Sequence, residues 1–490
     1  MTANEGDGRL RRIARRGMGW QGLATLTAQA LQMVSTLVVA ALTGPAEFAL
    51  WGIAAIFFNA QHLVGSLGFG PALIYLKDDD RFRDAVDTAV VASTLLTLAL
   101  GVGAFLAAPA LAGLFGTGFD AAAVESMIRA MCLVFVFAAL AQLPQALLEK
   151  SLEFRRRALP EIVCALVYAA AVFTALAAGL GIWSLILGKL LQTGLLLALL
   201  WIVSPVRPRL PPRPSAVLLR RLFAYGKFVT ASAVVGFLFS NADRMAIGTL
   251  AGAEPLGAYA LAYSVATLAP TFLSLSLGKV FFPIYAAVRD DLAALRSAAA
   301  DALHYMGLVM LPVTAALILV APGALVDAFG AEWAAAQPLL RILAVYGLAR
   351  ALTLAGNLIL IGTGRPGTVI VVEGASMIGV ALTLPFLARF GAPGITWAFA
   401  IGQVAAAATA FQMTRTAWST AWLPRLLIPA LASGAAVATG LGIGLLPPGA
   451  WRGWAAGAAF GLAYLAVLGV LGPRRREATT ESLGKLSEQG

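Results

Sequence analysis

Apolar runs of about 20 residues recur along the chain, and short polar or glycine- and proline-containing segments separate them. At about 1.5 Å of rise per residue, a helix of this length matches a hydrocarbon core of about 30 Å. The pattern therefore predicts an all-α polytopic membrane protein with about 14 transmembrane helices. The predicted spans are 17–43, 47–68, 87–113, 125–148, 158–179, 182–203, 226–250, 257–282, 303–327, 335–361, 367–389, 393–414, 422–446 and 451–472.

The seventh run is apolar on one face only. On a helical wheel of about 100° per residue, Gly236, Ser240, Asp243 and Arg244 fall on one side, with Asn241 close by. An ion on a spanning helix costs several kcal/mol unless it faces a cavity or a partner. Two interpretations follow: the face is a wall of a polar transport cavity, or Asp243 and Arg244 form a pair that neutralises itself against a neighbouring helix.

Composition and charge support the membrane prediction. The 490 residues are 60% hydrophobic and 12% charged, with a mean hydropathy of +0.85, which excludes an ordinary soluble globule. The net charge of +11 lies in short clusters between apolar runs, so nucleic-acid binding is discounted. Of the 35 Lys and Arg residues, 27 fall in loops predicted on one side. This bias predicts an even helix number and two cytoplasmic termini.

Other chemistry is sparse. Cys132 and Cys164 lie inside apolar runs, and the chain has two histidines, so no disulfide or zinc site is predicted. No GxxxxGK[ST] motif is present, which argues against ATP binding by this chain. We expect no cofactor and no enzymatic activity.

An internal repeat gives the domain organisation. Leu42–Trp51 returns as Leu250–Tyr259, and Leu106–Gly116 returns as Leu319–Gly330, at an offset of about 208 to about 214. Six helices per copy give both copies the same orientation in the membrane, as in parallel-repeat transporters. The predicted parts are a six-helix lobe (1–203), a cytoplasmic linker (204–225), a second six-helix lobe (226–415), two additional helices (416–473) and a cytoplasmic tail (474–490).

Charged and amide side chains inside the predicted spans are candidate site residues. Cations outnumber anions there, which favours an anionic ligand such as a phosphate or pyrophosphate. Snorkelling of a lysine, helix-to-helix amide bonds and acidic caps at helix starts are the alternatives. The substrate-binding candidates are Arg244, Arg350, Lys189, Asn241, Asp243, Lys279, Gln32, Gln61 and Asn357, and the ion-coupling candidates are Asp243, Glu373 and Glu161.

Several segments resemble a known family. These are LTGPAEFALWGIA, GFGPALIYLKDDD, ALLEKSLEFRRRALPE, GLGIWSLILGKL and FAYGKFVTASAVVGFLFSNADRMAIGTLAGAEPLGAYALAYSV, and the likeness covers residues 10–415. They resemble the polysaccharide-exporting flippases of the multidrug/oligosaccharidyl-lipid/polysaccharide superfamily. The resemblance implies two six-helix lobes facing each other as a V and a cavity lined by the first, second, seventh and eighth helices. The N-x-D-[RK] pattern of that family falls on Asn241, Asp243 and Arg244.

The resemblance also implies a function. The ligand would be an undecaprenyl-pyrophosphate oligosaccharide moved across the bacterial inner membrane by alternating access, driven by an ion gradient or the membrane potential. Membrane lipids, a polysaccharide polymerase and glycosyltransferases would be partners. A cation-coupled multidrug or small-metabolite antiporter is the alternative. A membrane-bound glycosyltransferase or polymerase is disfavoured, because the sequence offers no sizeable extracytoplasmic loop with an acidic catalytic pair.

Overall fold

The computed structural model describes residues 3–65, 73, 82–115, 118–151, 153–206, 208–209, 214–418, 422–444 and 452–471. In these ranges the regular structure is helical. The α-helices are α1 (Ala3–Leu42), α2 (Pro45–Gly65), α3 (Phe82–Ala112), α4 (Ala121–Lys150), α5 (Phe154–Ala177), α6 (Trp183–Val203), α7 (Ala216–Leu250), α8 (Ala253–Ala266), α9 (Leu268–Ala287), α10 (Leu292–Leu319), α11 (Ala321–Phe329), α12 (Ala336–Gly362), α13 (Thr368–Leu387), α14 (Gly391–Met413), α15 (Trp422–Gly444) and α16 (Arg452–Leu471).

The helices confirm the all-α polytopic fold. By length and apolar composition, eight helical stretches of the described residues are able to cross a membrane. One of them, Thr368–Met413, contains both α13 and α14, and further apolar helices are shorter, so the number of about 14 spans stays a prediction. The eight are Gly22–Leu42, Phe82–Ala112, Ala121–Lys150, Arg155–Ala177, Trp183–Val203, Leu292–Leu319, Ala336–Gly362 and Thr368–Met413.

The eighth predicted span, 257–282, is not one helix. It is divided into α8 and α9 at Thr267, because Pro270 has no N–H and its ring crowds the carbonyl of Ala266, four residues earlier. Gly347 of α12 lies against this break. A Cβ at Gly347 would be 3.3 Å from the Ala266 carbonyl oxygen and 3.3 Å from Pro270 Cγ. At this break, α12 therefore packs closely against α8 and α9.

The ninth predicted span, 303–327, is also two helices. The first, α10, ends at Leu319, and α11 begins after Val320 with Pro322 in its first turn. Proline is well tolerated there, because the first backbone N–H groups of a helix have no partner within the helix. A proline at this place therefore starts a new helix and ends the span earlier than its hydropathy suggested.

Packing divides the chain into two compact units, Met1–Gly257 and Ala258–Gly490. The first unit contains α7, which packs on α2 and α3. The second has a core between α9, α10 and α12, with Phe281, Tyr285 and Met306 among its buried side chains. These units describe packing, whereas the predicted lobes 1–203 and 226–415 describe a sequence repeat, so that division stays a prediction.

The linker before α7 is bonded to the start of α3. The backbone N–H of Arg209 donates to Asp87 Oδ1 at 2.9 Å, and its guanidinium pairs with both Asp84 and Asp87. The backbone N–H of Ser215 donates to Thr88 Oγ1 at 3.0 Å. Ser215 is also the N-cap of α7, so that helix starts at Ala216, earlier than the predicted 226, from a point attached to α3.

The starts of α2 and α8 touch through their backbones. A Cβ built on Gly257 would lie 1.7 Å from the carbonyl oxygen of Pro45, which is far inside contact distance. A glycine is therefore required for this approach. Nearby, a Cβ on Gly248 would lie 3.0 Å from the Phe115 ring, so the end of α7 is close-packed as well.

Candidate functional site

The second unit has a polar face on α12. Arg350 lies four residues after Tyr346, and Asn357 lies seven residues after Arg350. All three therefore share one side of the helix. An Arg350 Nη1 donates to the Tyr346 hydroxyl at 3.5 Å. The Asn357 side-chain amide donates to Glu373 Oε1 of α13 at 3.4 Å. We call these four residues the α12 polar face.

This face is partly exposed. Arg350 and Glu373 are exposed, and Asn357 is half-buried. Arg350 lies mid-way along a stretch that is long and apolar enough to span a membrane. An arginine and a carboxylate at such a depth are stable only beside water or a partner. The α12 polar face therefore fits the wall of a water-filled cavity better than a lipid-facing surface.

Two tyrosines extend this face. The rings of Tyr263 on α8 and Tyr346 are 6.3 Å apart between centroids, and the ring of Tyr259 is 5.7 Å from that of Tyr263. Sequence reasoning missed Tyr263 and Tyr346. A signal for Tyr346 was present, since it precedes Arg350 by one helical turn.

Contacts with α14 beside this face hold α12 in place. Buried Gln403 of α14 donates its side-chain amide to Thr353 Oγ1 at 2.9 Å, and Thr353 in turn donates to the Ala349 carbonyl at 3.0 Å. One turn along, a Cβ on Gly356 would be 2.7 Å from Ala410 Cβ, so α12 and α14 are in close contact. This packing holds the backbone that carries Arg350 in one position.

The polar residues of α7 are buried in the first unit. Asn241 is fully buried, and its Oδ1 accepts from Asn59 Nδ2 of α2 at 3.0 Å. Its own Nδ2 donates to the Phe237 carbonyl at 2.8 Å. Asp243 and Arg244 are 5% and 9% exposed; Asp243 Oδ1 accepts the backbone N–H of Arg244. The structure brings these three predicted residues together and adds Asn59.

We expect replacement of Asn241 by alanine to lower the stability of the first unit, because it removes the bond to Asn59 and leaves the half-buried amide of Asn59 without this partner. Hydrogen bonds between transmembrane helices are worth about 0.6 kcal/mol on average and about 1.7 kcal/mol at most. The measurement is a double-mutant cycle with Asn59→Ala, read from melting in detergent. Ser240→Ala, at an exposed position of the same helix, is the control. Additive effects of the two Asn variants would contradict the pairing.

Lys189 is placed differently, deep between three helices. It lies on α6, is 3% exposed, and its Nζ is 4.5 Å from the Phe58 ring centroid of α2 and 5.0 Å from that of Tyr168 of α5. Among the described residues, its Nζ has one hydrogen-bond acceptor, Gln192 Oε1 at 3.2 Å. Across the described residues no carboxylate lies within salt-bridge distance of Lys189 Nζ. We call Lys189, Phe58, Tyr168 and Gln192 the Lys189 box.

The remaining predicted residues are placed as follows. Glu161 lies in the third turn of α5 and accepts from Arg157 Nε at 2.9 Å, while Arg157 also pairs with Glu149. Gln32 is half-buried on α1. Gln61 and Lys279 belong to α2 and α9, but their side chains lie outside the described residues.

Comparisons with known proteins agree with this fold. The family described as "Polysaccharide biosynthesis protein" matches residues 38–338. The teichuronic acid biosynthesis protein TuaB of Bacillus subtilis is 25% identical over 393 residues, 79% of each chain. The lipopolysaccharide biosynthesis protein WzxC of Escherichia coli is 25% identical over 338 residues, 68% of this chain and 67% of that protein.

A solved structure shows the same fold. It is the lipid II flippase MurJ in an inward closed conformation, with a TM-score of 0.76 at 15% identity, covering 94% of this chain and 99% of that one. At this identity the likeness concerns the arrangement of helices alone.

Proposed function

The chain belongs to the polysaccharide biosynthesis protein family, and from this premise we propose that it is a flippase for a lipid-linked oligosaccharide. The proposed substrate is an undecaprenyl-pyrophosphate oligosaccharide, moved across the bacterial inner membrane by alternating access. Its product would serve surface polysaccharide biosynthesis, the process in the names of TuaB and WzxC. The protein moves its substrate without changing a covalent bond in it.

The observation that carries the proposal is the exposed guanidinium of Arg350 inside an apolar span. A cation at this depth suits a ligand that brings a negative charge into the membrane, as a pyrophosphate does. The planar guanidinium offers two parallel donors to phosphate oxygens, which makes a charge-assisted bidentate contact. Cations of a drug-like substrate would be repelled by the same group.

The neighbours of Arg350 suit the sugar part of such a ligand. Asn357 Oδ1 is buried and has no hydrogen-bond donor among the described residues. Buried polar atoms are usually paired in native proteins, so we expect Asn357 Oδ1 to gain a donor, such as a hydroxyl of the ligand, in another state of the transport cycle. Glu373 offers a second acceptor at 3.4 Å from Asn357 Nδ2. The rings of Tyr263 and Tyr346 offer apolar faces to the sugar.

The proposal includes the remaining expectations from the sequence. Both termini lie in the cytoplasm, the substrate enters from the inner leaflet, and a polymerase and glycosyltransferases act on the same glycan after and before transport. During transport, the polyprenyl chain of the substrate stays among membrane lipids, while its head group passes through the cavity.

Loss of the protein is expected to leave the lipid-linked glycan on the inner leaflet and to abolish the surface polymer, with drug tolerance nearly unchanged. The measurement combines leaflet-specific labelling of the lipid-linked glycan with detection of the surface polysaccharide, in cells with and without the gene. Complementation by the wild-type chain is the control. Unchanged surface polysaccharide together with hypersensitivity to cationic drugs would contradict the proposal and favour the antiporter.

A further inference from the structure

The Lys189 box has no evident use in binding a lipid-linked head group, because Lys189 itself is only 3% exposed. An ammonium has three donor hydrogens, and Lys189 has one conventional acceptor, Gln192 Oε1 at 3.2 Å. The faces of Phe58 and Tyr168 attract a cation, but they replace only part of the hydration that a buried ammonium loses. In this closed state the box therefore favours the neutral amine.

The charged groups around the box leave this conclusion intact. Tyr168 is the titratable side chain that touches Lys189, and Cys164 precedes it by one turn on α5. The described side chains of α1 include no charged residue, and those of α6 include none besides Lys189. Other charged or titratable groups lie on the helices around α6. On α5 they are Arg155, Arg156 and Arg157, and Arg157 pairs with Glu161. On α4 they are Cys132, the pair of Glu125 with Arg129, and Glu149 and Lys150 at its end, and on α2 Glu47 accepts from the Ile182 N–H. His62 of α2 has a side chain outside the described residues.

The box is connected to α7 through α2. Phe58 forms one wall of the box, and the next residue, Asn59, donates to Asn241 of α7 at 3.0 Å. Asp243 and Arg244 follow two and three residues after Asn241. A change that displaces Phe58 therefore shifts the part of α2 that holds α7. Gly188 lets α6 pack closely on α5, because a Cβ at this position would be 2.5 Å from Val172 and would push the two helices apart.

We propose that Lys189 is a proton-binding switch that couples the position of α2 and α7 to the proton gradient. A proton from water on the outer side binds the Nζ lone pair when the box opens, and the resulting ammonium holds the box open to water. The box then opens to the inner side, where the ammonium returns its proton to water before the box closes to the state described here. The inference rests on the proposed flippase function for its biological use, but proton binding at Lys189 does not.

The first test measures coupling. Purified protein in liposomes transports a fluorescent undecaprenyl-pyrophosphate sugar, with and without a gradient of one pH unit. If one proton is coupled to each cycle, the gradient changes the wild-type ratio of the probe between the two leaflets by up to about tenfold. Lys189→Met, neutral and of similar length, is expected to flip at one rate under both conditions. Lys189→Arg keeps a permanent charge and is expected to stop the cycle.

Lys150→Met is the matched control. Lys150 Nζ also lies over an aromatic ring, 3.8 Å from the Phe82 centroid, but it donates to the Leu73 carbonyl at 3.0 Å and is only half-buried. This variant is expected to keep the full gradient response. A gradient response of wild-type size in Lys189→Met would overturn the proposal.

The second test does not need transport. A buried neutral amine takes up a proton when the protein unfolds, so the wild-type melting temperature in detergent should rise with pH, relative to that of Lys189→Met, up to the pKa of a free lysine amine at about 10.4. Lys150→Met should run parallel to the wild type. Parallel curves for wild type and Lys189→Met would overturn proton binding at Lys189. If Lys189→Met does not fold, Lys189→Gln takes its place in both tests.

The two tests separate the proposals. A wild-type protein that flips no lipid-linked probe, but still shows the pH-dependent melting difference, contradicts the flippase and leaves the proton switch supported. Normal flipping with parallel melting curves contradicts the switch and leaves the flippase supported.

Discussion

Arg350→Gln is expected to reduce flipping of a lipid-linked pyrophosphate substrate by roughly 10- to 100-fold. Hydrogen bonds to a charged group contribute about 1.5 to 3 kcal/mol, and each 1.4 kcal/mol corresponds to about tenfold. Arg350→Lys keeps the charge but loses the planar pair of donors, so it should retain part of the activity. The measurement is flipping in liposomes by purified protein, beside its melting temperature in detergent.

The control for Arg350 is Arg341→Gln. Arg341 lies on the same helix and is also exposed, but it belongs to the second turn of α12 and is expected to reach the membrane surface. Lost flipping at an unchanged melting temperature would support a place for Arg350 in the ligand path. A melting temperature that falls along with activity would instead indicate that Arg350 stabilises Glu373. Normal flipping by well-folded Arg350→Gln protein would remove it from the path.

Gly257→Ala is expected to lower stability and transport together, although alanine is the better helix residue. The added Cβ would lie 1.7 Å from the Pro45 carbonyl oxygen, and a backbone atom cannot rotate away as a side chain does. Overpacking of this kind costs about 1 to 3 kcal/mol and occasionally more, against the roughly 1 kcal/mol that alanine contributes over glycine within a helix. Melting in detergent measures the balance.

Gly236→Ala is the matched control for Gly257→Ala. No atom lies within 4 Å of a Cβ built on Gly236, which is inside α7. This variant should melt at or above the wild-type temperature. If Gly257→Ala also melted higher, the close approach of α2 and α8 would not belong to the most stable state of the protein.

Most of the fold could be predicted from the sequence, because a membrane requires long apolar helices wherever the chain crosses it. The break at Thr267 could not. A proline at position 270 is compatible with a kinked helix as well as with two helices, and Gly347, which packs against the break, lies far along the chain. Hydropathy contains no information on that contact.

The candidate site could be predicted only residue by residue. Arg350, Asn357 and Glu373 each stood out as polar residues in apolar runs, but the bond between Asn357 and Glu373 depends on how α12 packs on α13. The same holds for Asn59 and Asn241, which are 182 positions apart. Periodicity identifies a polar face without naming its partner.

Burial of charge was harder still to predict. Lys189 lies inside an apolar run and Lys150 lies at the polar end of one, but neither pattern shows that Lys189 is enclosed while Lys150 is half-buried. The difference comes from Phe58 and Tyr168, which reach Lys189 from two other helices.

The attachment of the linker to α3 has a mechanical consequence. Bonds from Arg209 and Ser215 to Asp84, Asp87 and Thr88 tie the start of α7 to the start of α3. These bonds prevent the start of α7 from moving independently of α3. If α7 tilts about its far end, α3 must move with it, or the bonds must break.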